Sequence, residues 1–238
     1  MPKPREAVAP HRVVGVIGGM GPEATVDLMR RVIAKTPADD DQDHVHLIVE
    51  SNPKIPSRIA HLIEGTGPDP TPELIRIAQS LQRGGAQALA MPCNTAHGYA
   101  GAIQKAVDIP LLDMVALTVD RIAAAGTARS VGLLASTAVI NTQLFARALD
   151  AKGMRTVLPP RQDQIMALIK AVKRGDTGSQ VQEQLGRLAA ELAGQCDVLL
   201  VACSELSVIA AGITVPFIDS LDVLAQAVVD FATESTTA

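Results

Sequence analysis

The sequence predicts an α/β protein of two similar lobes, each a largely parallel sheet flanked by helices, with the active site in the cleft between them. Three observations carry this. Short apolar, β-branched runs alternate with helical periodicity along the chain. Hydrophobic residues make up 47% of the 238 residues but aromatics only 2%, so Ala, Val, Leu and Ile must build the core. A weak internal repeat then returns the same elements in the same order.

Residues 12–19 (RVVGVIGG) form an apolar run closed by glycines, followed by Pro22 and a helical pattern over 23–35, which reads as strand, tight turn and helix. A second strand is expected over 44–50, helices over 72–83 and 96–107, and a strand over 86–91 between those two. The repeat sets VVGVIGG (13–19) against SVGLLAS (130–136), QALAMPCNTAH (87–97) against DVLLVACSELS (197–207), and IPLLD (109–113) against VPFID (215–219). Residues 1–117 are therefore expected to form one lobe, completed by a C-terminal helix at about 222–238, and residues 118–221 the other. Open parallel sheets bind ligands beyond the carboxyl ends of their strands, where Cys93 and Cys203 both fall. A pseudo-two-fold arrangement would face the two thiols across a cleft.

Composition removes several classes of function. The net charge of -4 comes without any block of Lys or Arg, and with Trp absent and one Tyr there is neither a basic footprint nor a stacking platform for nucleic acid. No apolar run is long enough to span a bilayer, and residues 1–12 carry no hydrophobic segment of signal type, so a soluble cytoplasmic protein is expected. Three cysteines are an odd number, unsuited to a disulfide framework. Cys196 closes a helix without the polar context of the other two and is assigned to packing.

Two facing thiols suit proton transfer at carbon. One, as thiolate, removes a proton from one face while the other, as thiol, returns one to the opposite face. A free thiol has a pKa of about 8.5, so a helix N-terminus just after each strand is expected to favour the thiolate. Asn94 and Thr95 sit at one such start and Ser204 and Glu205 at the other, where they and the local N–H groups could bind a carboxylate. Glu205 could orient an ammonium or the second thiol, and His97, one turn behind Cys93, could tune the thiol or simply pack. The glycine turn containing Met20 lets the backbone approach a small substrate.

Through MPCNTAH (91–97), GGMGPEAT (18–25) and ACSEL (202–206), the chain resembles the aspartate/glutamate racemase family, in its aspartate branch, from about residue 13 to about 231. The resemblance implies racemisation of aspartate or glutamate by two catalytic cysteines, Cys93 and Cys203, without pyridoxal cofactor or metal, and frequently in a homodimer. It further implies that Arg58 and Lys173 hold the distal carboxylate, which suits an acidic substrate entering an acidic protein. Two departures stand out. The family's usual Gly-Cys-Thr-Glu is Ala202-Cys203-Ser204-Glu205 here, and Ala138-Val139 stands where a Gly-Thr pair is common, so a hydroxyl is expected to be missing near the substrate.

Rival functions remain open. Residues 19–24 fit G-x-G-x-x-A, and Glu50 ends the next strand where a ribose-binding acid could sit, as in a dinucleotide site. A metal could draw on Cys93, His97, His44 and His46, although no C-x-x-C or H-E-x-x-H supports one. A thiol isomerase or decarboxylase of dicarboxylates, or a silent amino-acid-binding protein, would use the same lobes.

Overall fold

Among the described residues, strands are short and pair in parallel, because each is followed by a helix that returns the chain to the same sheet end. The computed structural model describes residues 12–234. The first half runs β1 (Val14–Gly18), α1 (Pro22–Lys35), β2 (Leu47–Ser51), α2 (Thr71–Arg83), β3 (Ala88–Ala90), α3 (Ala100–Lys105) and α4 (Met114–Ala124). The second continues with β4 (Ser130–Ala135), α5 (Thr137–Asn141), α6 (Leu144–Asp150), β5 (Arg155–Val157), α7 (Gln162–Lys173), α8 (Ser179–Ala193), β6 (Val198–Ala202), α9 (Ser204–Val208), β7 (Phe217–Asp219) and α10 (Ser220–Thr233).

Two sheets result, ordered β2-β1-β3 and β5-β4-β6-β7. The repeat is visible in the pairing. β1 meets β3 at Val14↔Ala88, and its counterpart β4 meets β6 at Val131↔Val198. β1 and β4 are buried along their whole length, which is why both read as continuous apolar runs rather than as alternating strands.

In the first lobe the counterpart of β7 shrinks to one bridge, Leu89↔Leu111, although Leu89 N–H still donates to Pro110 O and Leu112 N–H to Leu89 O. Its partner β3 has only three residues before Met91-Pro92, and Pro92 has no amide hydrogen with which to extend the ladder. The expected helix over 96–107 is likewise broken up: Thr95–Tyr99 winds as a 3₁₀ turn, and α3 covers only Ala100–Lys105. Gly98 and Gly101 weaken an α-helix there.

Two helices cross between the lobes. Asp113 caps α4 by accepting from the N–H groups of Val115 and Ala116; Met114 then packs against Val14, Ala90 and Leu221, whereas Val115, Val119 and Ile122 enter the core around Val131, Phe145 and Leu200. α10 makes the reverse crossing. Asp219 caps it through Leu221 N–H at the edge of the second sheet, and Leu224, Val228 and Ala232 pack with Val16, Leu28 and Val32 of the first lobe. The helix expected at about 222–238 thus begins at Ser220; residues 235–238, and the N-terminal segment 1–11, lie outside the described residues. Among the described residues, no helix is long and apolar enough to cross a membrane.

Candidate active site

The C-terminal ends of β3 and β6 deliver Cys93 and Cys203 to one cavity, and both side chains are buried. Met20, Arg58, Asn94, Thr95, Lys173, Ser204 and Glu205 line the same cavity. His97, the remaining residue that the sequence sets beside the two thiols, stands outside it. Its ring lies behind Cys93, with Nδ1 3.0 Å from the Cys93 carbonyl and Nε2 accepting from Met114 N–H at 3.1 Å. An amide can only donate, so Nε2 is the acceptor and Nδ1 carries the hydrogen. Burial lowers the pKa of this imidazole and keeps it neutral. Both ring nitrogens of His97 are thus engaged by backbone, one of them by that of Cys93.

At Cys203 the thiol donates to Glu205 Oε2 at 3.2 Å. Burial, and after it the Glu205 carboxylate, push this thiol well above the ordinary cysteine range, against the weaker opposing effect of the Glu205 and Leu206 amides. The expectation that a helix start would favour the thiolate fails here for a physical reason: α9 is only five residues long, and a full negative charge beside the sulfur outweighs its amides. Glu205 Oε1 in turn faces Lys173 Nζ at 3.6 Å, with Lys173 side-chain exposure at 42%. Sulfur, carboxylate and ammonium thus form one chain from the buried wall to the mouth.

On the first-lobe wall, Asn94 is 2% exposed, and neither its Nδ2 nor its Oδ1 has a hydrogen-bond partner. Arg58 donates from Nη1 to the carbonyls of Ile55 and Pro56 at 3.4 and 3.0 Å, while its buried Nε has no partner. Unpaired buried donors on a cavity wall are costly unless a ligand supplies the acceptors. Thr95 Oγ1 lies 3.3 Å from Ser136 Oγ, joining the two lobes at the cavity.

Several lining residues escaped the sequence analysis, among them Ser57, Ser136 and Ile169. Two had signals: Ser136 is the repeat equivalent of Gly19, and Ile169 lies one helical turn before Lys173 on α7. Ser136 also corrects the view of Ala138-Val139. Those residues lie inside α5, each 1% exposed and turned away from the cavity, so the hydroxyl offered there is that of Ser136. Cys196 packs at the far end of β6, with Sγ donating to Leu192 O at 3.3 Å, and a Cβ on Gly132 would come within 2.6 Å of that sulfur.

The glycine turn is filled from within. Gly19 has φ +90°, and a Cβ there would come within 2.3 Å of the Asn52 backbone; its N–H donates to Thr25 Oγ1 at 2.9 Å. A pyrophosphate would find that donor taken, and Glu50 is engaged by Arg76. Among the described residues, no group of three or more His, Cys, Asp or Glu side chains is placed to hold a metal.

Comparison with known proteins gives a family and a fold. The family model described as Asp/Glu/hydantoin racemase matches residues 17–228. A broad-specificity amino-acid racemase of Bacillus subtilis is 27% identical over 224 residues, which is 91% of this chain and 96% of that protein. A glutamate racemase of Pseudomonas putida is 34% identical over 146 residues, 57% of this chain and 53% of that protein, so that match spans about half its length. The structure of Picrophilus torridus aspartate racemase superposes with a TM-score of 0.85 at 32% identity, covering 93% of this chain and 94% of that one.

Proposed function

Because the chain belongs to the Asp/Glu/hydantoin racemase family, we propose that it inverts an acidic amino acid, aspartate or glutamate, at Cα by proton transfer between Cys93 and Cys203. The observation that carries this is the pair of buried thiols at repeat-equivalent strand ends on one cavity, with two cations, Arg58 and Lys173, on its walls. Inversion needs a base on one face of Cα and an acid on the other, and two thiols fill these roles alternately. Cys203, hydrogen-bonded to Glu205 and buried, is the proton-bearing partner. It donates when the Cys93 thiolate abstracts. In the reverse direction Glu205 takes the Cys203 proton and leaves the thiolate to act as base.

The unpartnered amide of Asn94, with Thr95 and Ser204, suits the α-carboxylate and ammonium, and the guanidinium of Arg58 suits the distal carboxylate. One observation favours a wider range. Lys173 is half exposed and already faces Glu205, which leaves it a weaker anchor for a distal charge, and the Bacillus relative is a broad-specificity enzyme. One experiment tests both: incubate the purified protein, free of pyridoxal phosphate, with each enantiomer of aspartate, glutamate, asparagine, glutamine and alanine, and follow chirality. Inversion of the two acidic substrates far ahead of the neutral ones is expected. Equal turnover of all would establish the broad enzyme instead, and no inversion of any would refute racemisation.

A further inference from the structure

The repeat that makes the two cysteines equivalent also makes the fourth residue after each one equivalent, and these are His97 and Ser207. Different in chemistry, they occupy the same place in a connection. Each holds the carbonyl of its own cysteine: His97 through Nδ1–H at 3.0 Å, Ser207 through its backbone N–H at 3.0 Å. Each also reaches the first turn of a helix that crosses to the other lobe. His97 Nε2 accepts from Met114 N–H, at the start of α4. The Ser207 hydroxyl donates to Asp219 Oδ1 at 2.6 Å, and that same oxygen caps α10 through Leu221 N–H at 2.9 Å.

On the second side a cation from the opposite lobe completes the link. Arg31, on α1, donates from Nη1 to Asp219 Oδ2 at 2.7 Å, from Nη2 to Ser207 O at 3.1 Å, and from Nε to Asp27 Oδ2 at 2.9 Å. Asp27 and Asp219 are each 6% exposed, and buried carboxylates persist as charges only when paired in this way. None of these groups lines the cavity, so whatever they contribute passes through the cysteine turns.

We propose, building on the two-thiol function above, that His97 and the Ser207–Asp219–Arg31 chain are equivalent positioning devices, each fixing one thiol to the helix that crosses to the opposite lobe. The helix that carries a lobe thereby also sets the sulfur of its neighbour. A displacement of the order of 1 Å costs a proton transfer about 100-fold, so damage to either device should impair the proton transfer made by one thiol and spare that made by the other. A residue that merely supports the fold would affect both alike.

Inversion uses both thiols in either direction, so the test uses the full chain with one thiol at a time, in D2O, and reads initial α-deuterium incorporation into the enantiomer of aspartate that the remaining thiol deprotonates. C93A leaves Cys203 and reports its enantiomer, and C203A leaves Cys93 and reports the other. Added to C93A, S207A and R31K should lower exchange by about 10-fold or more, and added to C203A they should leave it within about twofold; H97Q should do the reverse, and S207T should recover part of the loss. R31K keeps the charge but not the planar fork, and S207A deletes a single hydroxyl, so both are mild to the fold. Iodoacetamide labelling of each cysteine, read by peptide mass, gives a second measure that needs no turnover: S207A and R31K should change the rate at Cys203 only, H97Q that at Cys93 only. Equal losses with either thiol in variants that melt like the parent, or labelling rates that do not respond, would overturn the proposal. A parent protein with no exchange at all would refute the racemase function instead, and labelling would still decide the positioning.

Discussion

Replacing Asn94 with Ala should make the protein more stable and a poorer enzyme. The side chain is 2% exposed, both of its polar atoms lack partners, and it makes no capping hydrogen bond to the turn it begins. Each buried unsatisfied group costs about 1–3 kcal/mol, and Ala removes two of them at the loss of roughly 1 kcal/mol of packing. The net expectation is a gain on the order of 1 kcal/mol, or a Tm about 2–4 °C higher for a chain of this size. If that amide binds the α-carboxylate, its loss removes a charge-assisted hydrogen bond of about 1.5–3 kcal/mol, and kcat/KM should fall by about 10- to 100-fold. Thermal melts with and without aspartate, alongside initial rates, read both effects, and the stabilisation by ligand should shrink in the variant. An Asn94→Ala protein that melts several degrees lower and keeps full kcat/KM would refute the reasoning, because the amide would then be a satisfied structural group.

Other outcomes follow from the same site. The raised Cys203 thiol holds its proton in the folded protein above the unfolded value of about 8.5; its contribution is full below that pH and is lost as pH climbs through the folded value. Stability should therefore decline in alkaline solution at up to ~1.4 kcal/mol per pH unit, and denaturant titrations of C203A should show a shallower decline. R58A should cut kcat/KM for aspartate and glutamate far more than for neutral amino acids, with K173A weaker because solvent screens the exposed ammonium; substrate panels for the two variants check this. C196A should leave turnover intact and lower Tm by a few degrees, since that sulfur lies away from the cavity, where it fills the space beside Gly132 and donates to Leu192 O.

The lobes were legible because their central strands are buried on both faces and so leave unbroken apolar runs, and because cysteine recurs where those runs end. Ser136 was legible in principle, through its equivalence to Gly19 in the repeat. Other features had no local signal. The placement of Ala138-Val139 depends on Ser136 capping α5, which turns both residues inward. The effect of Glu205 on Cys203 depends on a side-chain conformation that bends back onto the sulfur. Arg31 and Asp219 are 188 residues apart, and only the crossing of α10 onto α1 brings them together. A pattern of residue types carries strand order and burial, but not which of several carboxylates an arginine will meet.

The central claim is that two groups, one on each face of Cα, share the proton transfer, and racemisation in D2O stopped at low conversion tests it most directly. Starting from a protiated single enantiomer of aspartate, the account predicts that newly formed product carries deuterium at Cα, because its proton comes from the opposite, solvent-exchanged thiol, while recovered starting material keeps its hydrogen. C93A and C203A should form no product. Product that retains the original hydrogen, or full inversion by either variant, would mean that a single base serves both faces and would contradict the two-thiol account.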